Sequence, residues 1–395
     1  MNFERIRQDF PILNKLVYLD SACMSLKPIQ VIEKINEYYK EYPGCGGRGV
    51  HSISKKVDEE VFKARKEIQK LFNIKKESQI VFSKNTTESL NLVYNGLNIK
   101  GNIITTDKEH NSNLLPVIKL CRERGMKHII VNSNNCVFDL ADFEKKMNKG
   151  ISLVSMVHTS NLDGSTIPAK EIIKIAHDNN SIVMLDGAQS APHKEIDLKK
   201  LDADLFACSG HKMLGPTGIG MLYGKEEILE KLNPLIVGGE TVTNSTYNSY
   251  EIEKVPNRFE AGLQHYSGII GFGEACNYLR KVGMDNIMKQ ELKVNQIIDD
   301  GLRPIGGINI LGPEDVRFRP GITSFTYKNK DVHQIALLLD HSKKIMMRSG
   351  MHCVHSWFNK HNLKGSVRAS LYLYNNEEDA HKLVEGFKHV TKVIG

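Results

Sequence analysis

Lys212 occupies the most distinctive chemical position in this sequence. It ends the segment SGHK, directly after the apolar run DLFAC (204–208) and shortly before the turn-forming run GPTG (215–218). A lysine is most often a solvated surface charge, but a lysine at the end of a buried strand can form a Schiff base when burial lowers its pKa. We therefore identify Lys212 as a candidate Schiff-base lysine.

Asp186 follows the apolar run SIVML (181–185), and Gln189 comes three residues later. An aspartate at a strand end commonly caps a helix or carries a solvated charge. It can also pair with the pyridinium nitrogen of a cofactor, which keeps the ring able to accept electrons. The order strand, aspartate, strand, lysine favours this second interpretation.

An anion site is predicted in the run SKNTTESL (83–90), where hydroxyl groups follow the strand-like run QIVFS and open a helical pattern. The free amides of a helix N-terminus suit a phosphate group. An ordinary capping box with Thr86 or Thr87 as the cap is the alternative. Ser209 and His211 would complete a phosphate cradle.

Two more polar residues follow strand-like runs. His110 comes after NIITT (102–106), so its imidazole can lie over a cofactor ring, although an isolated histidine is more often a surface or core residue. Asn161 comes after ISLVSMV (151–157) and can hydrogen-bond a phenolic oxygen. Both positions are consistent with one site built from several strand ends.

These residues need a scaffold in which strand ends converge. Short β-rich runs alternate with helical segments, which predicts a mostly parallel sheet covered by helices. The runs are 79–83, 102–106, 128–132, 151–157, 181–185 and 204–208. Later segments predict helices near 280–302, 331–340 and from 376, with strands near 307–310 and 322–327.

Two domains follow from this change of pattern. We predict a large domain over residues 14–278 and a smaller α+β domain formed by residues 1–13 and 279–395. The site is expected between them, at the carboxyl ends of the parallel strands.

Composition excludes several classes of function. The 395 residues carry a net charge of +7, but the basic residues are scattered and aromatic residues do not alternate with them, so no nucleic-acid partner is expected. The N-terminus lacks the apolar core of a signal peptide and no apolar run approaches the ~20 residues of a membrane span. The seven cysteines do not form the pattern of a secreted disulfide scaffold. We expect a cytoplasmic protein without a membrane partner.

With these residues in place, the sequence resembles the class V aminotransferase-type, fold type I pyridoxal-phosphate enzymes. Within that group it is similar to the group II cysteine desulfurases, close to the selenocysteine lyases. The similarity covers nearly the whole chain. It rests on YLDSA (18–22), GGRGVHSIS (46–54), FSKNTTESLNLV (82–93), EHNSNLLP (109–116), HTSNLDG (158–164), LDGAQSAPH (185–193), SGHKMLGPTGIG (209–220), RFEAG (258–262), RSGMHC (348–353) and VRASLYLYN (367–375).

The resemblance implies an α/β fold in which a mostly parallel seven-stranded sheet, flanked by helices, is joined to a smaller α+β domain. It also implies pyridoxal 5'-phosphate as the cofactor, with Lys212 as Schiff base and proton shuttle. The implied cofactor contacts are Asp186 at the pyridine nitrogen, Gln189 and Asn161 near the phenolic oxygen, His110 stacked on the ring, and Thr86, Thr87, Ser209 and His211 at the phosphate. The implied substrate contacts are Arg368 at the carboxylate, where an exposed surface arginine is the alternative, together with Asn161 and His51.

Cys353 matches the nucleophile of the resembled family, whose thiolate would take sulfur from L-cysteine and leave L-alanine and a persulfide. A buried inert thiol is the usual alternative for a cysteine. The neighbouring Arg348, His352 and His355 would favour the thiolate. We expect no metal site here, because adjacent residues such as His352 and Cys353 rarely form a closed tetrahedral set.

The implied function is a cysteine desulfurase that supplies sulfur for iron–sulfur cluster or other thio-cofactor biosynthesis, as a homodimer that meets a sulfur-acceptor scaffold protein. A selenocysteine lyase, a related class V aminotransferase and a non-catalytic sulfur-carrier partner are the alternatives. Leu263 stands where the family commonly has a threonine that reaches the phosphate across the dimer interface. Cys23 and Cys45 are extra thiols near the predicted site, where they could relay sulfur or bind metal.

Overall fold

A computed structural model describes residues 1–395. Its strands are β1 Val17–Leu19, β2 Ile80–Ser83, β3 Asn102–Thr106, β4 His128–Val131, β5 Ser133–Asn134, β6 Val137–Phe138, β7 Ile151–Val157, β8 Ile182–Asp186, β9 Leu205–Ser209, β10 Gly220–Gly224, β11 Val242–Ser245, β12 Tyr250–Ile252, β13 Ile308–Leu311, β14 Ile322–Tyr327, β15 Ile345–Gly350 and β16 Ser366–Ser370.

The helices surround these strands. They are α1 Phe3–Arg7, α2 Ile29–Glu41, α3 Ser52–Leu71, α4 Thr86–Gly96, α5 Asn111–Arg124, α6 Leu140–Lys146, α7 Ala169–Asp178, α8 Leu198–Leu201, α9 Glu226–Leu229, α10 Tyr266–Val282, α11 Met284–Leu302, α12 Val332–Lys343, α13 His355–Lys360 and α14 Glu377–Ile394. Short 3₁₀ turns lie at Pro11–Asn14, Glu77–Gln79, Gly210–Lys212, Asn257–Phe259 and Val316–Phe318.

The larger sheet has seven strands in the order β2-β10-β9-β8-β7-β3-β4. The five strands from β9 to β4 are parallel, and β10 is antiparallel to both of its neighbours. The predicted seven-stranded, mostly parallel sheet is therefore confirmed. Strand β10 was not among the predicted β-rich runs, because the glycines at both of its ends resemble turn signals.

The second sheet has five strands in the order β1-β15-β16-β14-β13, and only its β1–β15 pair is parallel. Strand β1 comes from the start of the chain, although it pairs with a strand that begins at Ile345. Residues Ile6, Phe10 and Leu13, in contrast, belong to the core of the larger sheet. The proposed domain boundaries at 14 and 278 remain a prediction.

Hydrophobic burial explains the layers. One cluster of 47 buried residues includes side chains of α3, α7 and α10, and a second cluster of 18 includes side chains of α4 and α5. Strand β9 is buried along its whole length, as expected for a parallel strand with helices on both faces. Gly273 allows α10 to approach α3 closely, because a Cβ there would lie 2.4 Å from the Cα of Ala64.

The predicted helix near 280–302 is divided in the structure. Gly283, with φ +85°, ends α10 and begins α11. None of the helices combines the length and the apolar character that crossing a bilayer requires.

Candidate functional site

All of the sequence-predicted site residues except His51 line one cavity of about 310 Å³. One side of it consists of residues that follow strands of the larger sheet, and the other side of residues from the second sheet and the loops that leave it. The cavity therefore lies between the two sheets. We call the first side the sheet wall, formed by Thr86, His110, Asp186, Ser209 and Lys212.

Lys212 and Asp186 lie on neighbouring parallel strand ends. Asp186 is the last residue of β8, and Lys212 ends the 3₁₀ turn that follows β9. Burial lowers the pKa of Lys212, whereas Asp186 raises it. Burial also raises the pKa of Asp186. The hydrogen bond from the Ala188 amide and the charge of Lys212 act in the opposite direction and lower it. A cavity with a buried amine of lowered pKa is suited to covalent attachment of a carbonyl compound.

Close backbone packing fixes Asp186. Gly187 directly follows it, and a Cβ on Gly187 would lie 2.0 Å from the Phe206 ring. The Ala188 amide donates to the Asp186 carboxylate at 2.9 Å. The turn therefore requires glycine and holds the carboxylate at the end of the strand.

The predicted anion site lies at the N-terminus of α4. Asn85 is the cap, accepting a hydrogen bond from the Glu88 amide at 3.0 Å, so the alternative that placed the cap at Thr86 or Thr87 is wrong. The Ser209 hydroxyl accepts from the Thr86 amide at 2.9 Å and bonds the Thr86 hydroxyl at 2.7 Å. Thr87 bonds the hydroxyl of Ser112 at 2.7 Å. Hydroxyl groups from three elements thus converge beside a positive helix end.

His110 is the N-cap of α5, and its Nδ1 accepts from the Ser112 amide at 3.1 Å. Burial, with the charges of Lys212 and Arg368, lowers the pKa of His110 to about 3, so the ring is neutral at physiological pH. A neutral, capped imidazole can lie against a flat ring without adding charge. His211 is likewise neutral, since burial and Lys212 lower its pKa to about 4.

Arg348, Ser349, Gly350, Met351, His352 and Cys353 form the acceptor loop, the segment in which β15 ends. Gly350, His352 and Cys353 have φ angles of +113°, +49° and +59°. Cys353 is exposed, so the alternative of a buried inert thiol is wrong. Two main-chain carbonyls of the loop accept hydrogen bonds, the His352 carbonyl from the Asn161 side-chain Nδ2 at 2.7 Å and the Cys353 carbonyl from the Asn111 backbone amide at 2.8 Å.

His352 does not supply positive charge to Cys353. Burial and the charge of Arg368 lower the pKa of His352 to about 2. Its Nε2 pairs with the Ser366 hydroxyl at 2.8 Å. The sequence-based expectation that His352 favours the thiolate is therefore not supported, and its side chain anchors the loop instead.

Two arginines face the cavity from adjacent strands. Arg348 and Arg368 lie directly opposite each other in the β15–β16 pair, and Asp20 is 2.7 Å from the first guanidinium and 3.6 Å from the second. One carboxylate between two guanidinium groups leaves an excess positive charge. Arg368 is only 3% exposed, so the alternative of a surface arginine is wrong. This charge suits a ligand carboxylate.

Sequence reasoning missed several contributors to the cavity. Asn85 and Ser112 are helix-cap partners whose roles depend on the spacing of α4 and α5. Lys108 and Asp163 form a buried ion pair of 2.5 Å that no local sequence pattern signals, although neither residue lines the cavity. His51, predicted to contact substrate, is the exposed N-cap of α3 and does not line the cavity.

A ligand with both donors and acceptors fits this cavity. Four of its lining residues carry a buried polar atom without a protein partner, namely Asn161 Oδ1, Gln189 Oε1, His352 Nδ1 and Arg368 Nε. Unpaired buried polar atoms are rare and point to a bound molecule or water. Together with the amine, the carboxylate and the hydroxyl cradle, they fit pyridoxal phosphate with an amino acid beside it.

Comparison with known proteins gives a consistent result. The family profile described as "Aminotransferase class-V" matches residues 17–383. A probable cysteine desulfurase of Pyrococcus abyssi is 38% identical, covering 99% of this chain and 98% of that protein. A probable cysteine desulfurase of Halalkalibacterium halodurans is 36% identical, covering 100% and 99%. The apo cysteine desulfurase structure from Thermococcus onnurineus NA1 has a TM-score of 0.95 at 36% identity and covers 98% of each chain.

Proposed function

The chain belongs to the class V aminotransferase family, and from that membership and its cavity we infer that it is a pyridoxal-phosphate-dependent cysteine desulfurase. It converts L-cysteine to L-alanine. The observation that carries this function is the meeting of Lys212, Arg368 and an exposed Cys353 in one cavity. A selenocysteine lyase is not favoured, since the similar proteins are named cysteine desulfurases.

We propose that Lys212 holds the cofactor through its amine and that Asp186 pairs with the pyridine nitrogen. Bound there, pyridoxal phosphate supplies an electron sink that weakens the bonds at the substrate Cα. Lys212 takes up and returns the proton at that carbon, a task that its lowered pKa favours. Neutral His110 would stack on its ring. Asn161 and Gln189 would contact its phenolic oxygen.

Thr86, Thr87, Ser209 and His211 hold the phosphate in this proposal. Support comes from the hydrogen bonds that join Thr86 to Ser209 at the N-terminus of α4. A neutral His211 can donate one hydrogen bond to a phosphate oxygen.

Arg368 binds the substrate carboxylate, and Cys353 receives the sulfur atom. The Cys353 thiolate forms a bond to the substrate sulfur as the substrate carbon–sulfur bond breaks, and the carbon takes a proton to give alanine. The products are alanine and a persulfide on Cys353. All of their atoms come from the Cys353 thiol and one molecule of L-cysteine, so the reaction is balanced. A transaminase has no need of this thiol.

Replacing the thiol tests the assignment. Cys353→Ala should abolish sulfide release from L-cysteine while the cofactor absorbance of the purified enzyme remains, because the cofactor site is untouched. Cys136→Ala removes a thiol that lies outside the cavity and serves as the control. Retained desulfuration in Cys353→Ala would show that another group accepts the sulfur.

We also propose a homodimer. Leu235, Ile236 and Leu263 are 43%, 52% and 74% exposed and line a second cavity of about 230 Å³ beside Lys84 and Glu88. Such an exposed apolar cluster marks a contact surface. Its position next to the anion site agrees with a second copy that covers this side of the cofactor region.

A charge at Leu263 tests the dimer. Leu263→Asp should shift the protein towards the monomer in sedimentation velocity, because a carboxylate would be buried in the contact. Leu337→Asp alters a leucine that is 59% exposed on α12 and should leave the mass unchanged. An unchanged mass in both variants would contradict this contact surface.

We further propose a cytoplasmic enzyme whose persulfide passes to a sulfur-acceptor scaffold protein for iron–sulfur cluster or other thio-cofactor assembly. The cytoplasmic location is supported by seven cysteines that are all free thiols. The acceptor step is supported by the exposure of Cys353.

A further inference from the structure

A second thiol, Cys23, lines the same cavity as Cys353. The five other cysteines do not line it. The segment that carries Cys23 follows β1, and the acceptor loop ends β15. These two strands are parallel neighbours, with Leu19 opposite Met347. The residues that come next along the chain, Asp20 and Arg348, form an ion pair that keeps the two segments side by side as they reach the cavity.

The turn that carries Cys23 is firmly held. The Cys23 amide donates to the Asp20 carbonyl at 3.1 Å, and the Ala22 carbonyl accepts from Gln189 Nε2 at 2.7 Å. The Ala22 amide donates to the Ser370 hydroxyl at 3.0 Å. Cys23 is half-buried, whereas Cys353 is exposed on the acceptor loop.

Arg348 and Arg368 line the cavity together with Cys23. Burial lowers the pKa of Arg368, while Asp20 and Cys23 raise it. Burial likewise acts against the charge of Arg348, but Asp20 and Cys23 raise its pKa above the ordinary value. The charges of both guanidinium groups and the Cys23 sulfur therefore lie within electrostatic range of one another. The unpaired, buried Nε of Arg368 leaves a free hydrogen-bond donor in the same cavity.

We propose that Cys23 is a second sulfur acceptor, which takes the outer sulfur atom from the Cys353 persulfide and holds it inside the cavity. The proposal rests on the cysteine desulfurase function. In this step the Cys23 thiolate forms a bond to the outer sulfur, and the bond between that sulfur and Cys353 Sγ breaks. The electron pair leaves with Cys353 Sγ, which takes up the proton that Cys23 released. No external oxidant or reductant is needed.

Such a transfer frees Cys353 for a second turnover before any outside acceptor arrives. The exposed thiol is then the loading position, and the half-buried thiol is the storage position. Without an acceptor, each protomer would therefore hold two sulfur atoms, one on each thiol.

Mapping of persulfides tests the relay. The holoenzyme is mixed with L-cysteine without added thiol, alkylated and digested, and mass spectrometry locates the extra sulfur while the alanine burst is counted. Wild type should carry extra sulfur on both Cys23 and Cys353. Cys23→Ala should carry it on Cys353 alone, with an alanine burst lower by about twofold, because one storage thiol is lost. Cys136→Ala, which removes another half-buried thiol, should match wild type.

Other outcomes would overturn the relay. Extra sulfur confined to Cys353 in wild type, with an unchanged burst in Cys23→Ala, would exclude Cys23 as an acceptor. Extra sulfur on Cys23 in Cys353→Ala would mean that Cys23 takes sulfur directly from substrate. A Cys23–Cys353 disulfide with released sulfide would mean attack on the inner sulfur. If wild type formed no alanine, the desulfurase function itself would be wrong. If wild type formed alanine but Cys23 carried no extra sulfur, only the relay would be wrong.

Discussion

The sheet wall and the acceptor loop face one cavity but are held in different ways. Residues of the sheet wall follow parallel strands and bond one another, as Thr86 bonds Ser209. The acceptor loop contains left-handed residues, and its thiol is exposed. The two regions therefore suit different tasks. Cofactor chemistry needs side chains in fixed positions, whereas sulfur delivery needs a thiol that an acceptor can reach.

The largest effect should come from the sheet wall. Lys212→Ala should lower alanine formation by about 10⁴-fold, because this variant lacks the amine that we propose to move the proton at Cα. Borohydride reduction should then leave no cofactor attached to the chain, whereas wild type should be labelled at position 212.

A lysine outside the cavity provides the control for this variant. Burial lowers the pKa of Lys194 to about 8, yet this lysine does not line the cavity. Lys194→Ala should keep both the activity and the label. A Lys212→Ala enzyme that still forms alanine would end the assignment of the sheet wall as the proton-transfer side.

Residues of the sheet wall could be predicted from sequence because their signals are local. An aspartate or lysine directly after an apolar run lies at the carboxyl end of a buried strand, and ends of neighbouring parallel strands meet. Asp186 and Lys212 follow this rule. His51, placed by resemblance alone, does not line the cavity of the single chain.

The other side of the cavity was harder to predict, since it depends on pairing between distant segments. Arg348 and Arg368 face each other only because β15 and β16 are antiparallel in one register. Asp20 joins them only because β1 pairs with β15, more than three hundred residues away along the chain. The burial that makes His352 neutral is likewise a property of the folded core.

A smaller effect is expected where the two regions touch. Asn161→Ala removes the hydrogen bond from Nδ2 to the His352 carbonyl, so the acceptor loop loses one of the two bonds to its main-chain carbonyls. It also removes the side chain that we propose near the phenolic oxygen of the cofactor. We expect kcat for sulfide release to fall about tenfold, because both the thiol and the cofactor are less well positioned. Stopped-flow measurement of alanine formation would quantify the loss.

Ser366→Ala is the comparison for that variant. It releases the His352 ring from its 2.8 Å hydrogen bond without changing a residue of the cavity. If loop position limits the reaction, Ser366→Ala should slow alanine formation in the same direction while the cofactor absorbance stays unchanged. A normal rate in both variants would mean that the loop needs no anchoring.

The smallest effect concerns stability in acid. Burial and the charge of Lys194 lower the pKa of His158 to about 3, while burial and Arg368 lower that of His352 to about 2. An unfolded histidine titrates near about 6.5, so the unfolded chain binds protons that the folded chain excludes. The stability linked to each neutral imidazole is therefore present above about pH 6.5 and is lost as the pH falls towards the folded pKa.

His158 directly follows β7 of the larger sheet, so comparing it with His352 distinguishes a rigid sheet from a looser acceptor loop. His158→Gln should lower the slope of unfolding free energy against pH by about 1.4 kcal/mol per pH unit between about pH 6 and pH 4, measured by urea titration. His389→Gln, at an exposed position on α14, is the control. If the acceptor loop opens without unfolding of the sheets, His352 gains its proton in the open form, and His352→Gln removes less of the slope. Equal reductions would mean that the acceptor loop is as rigid as the larger sheet around His158.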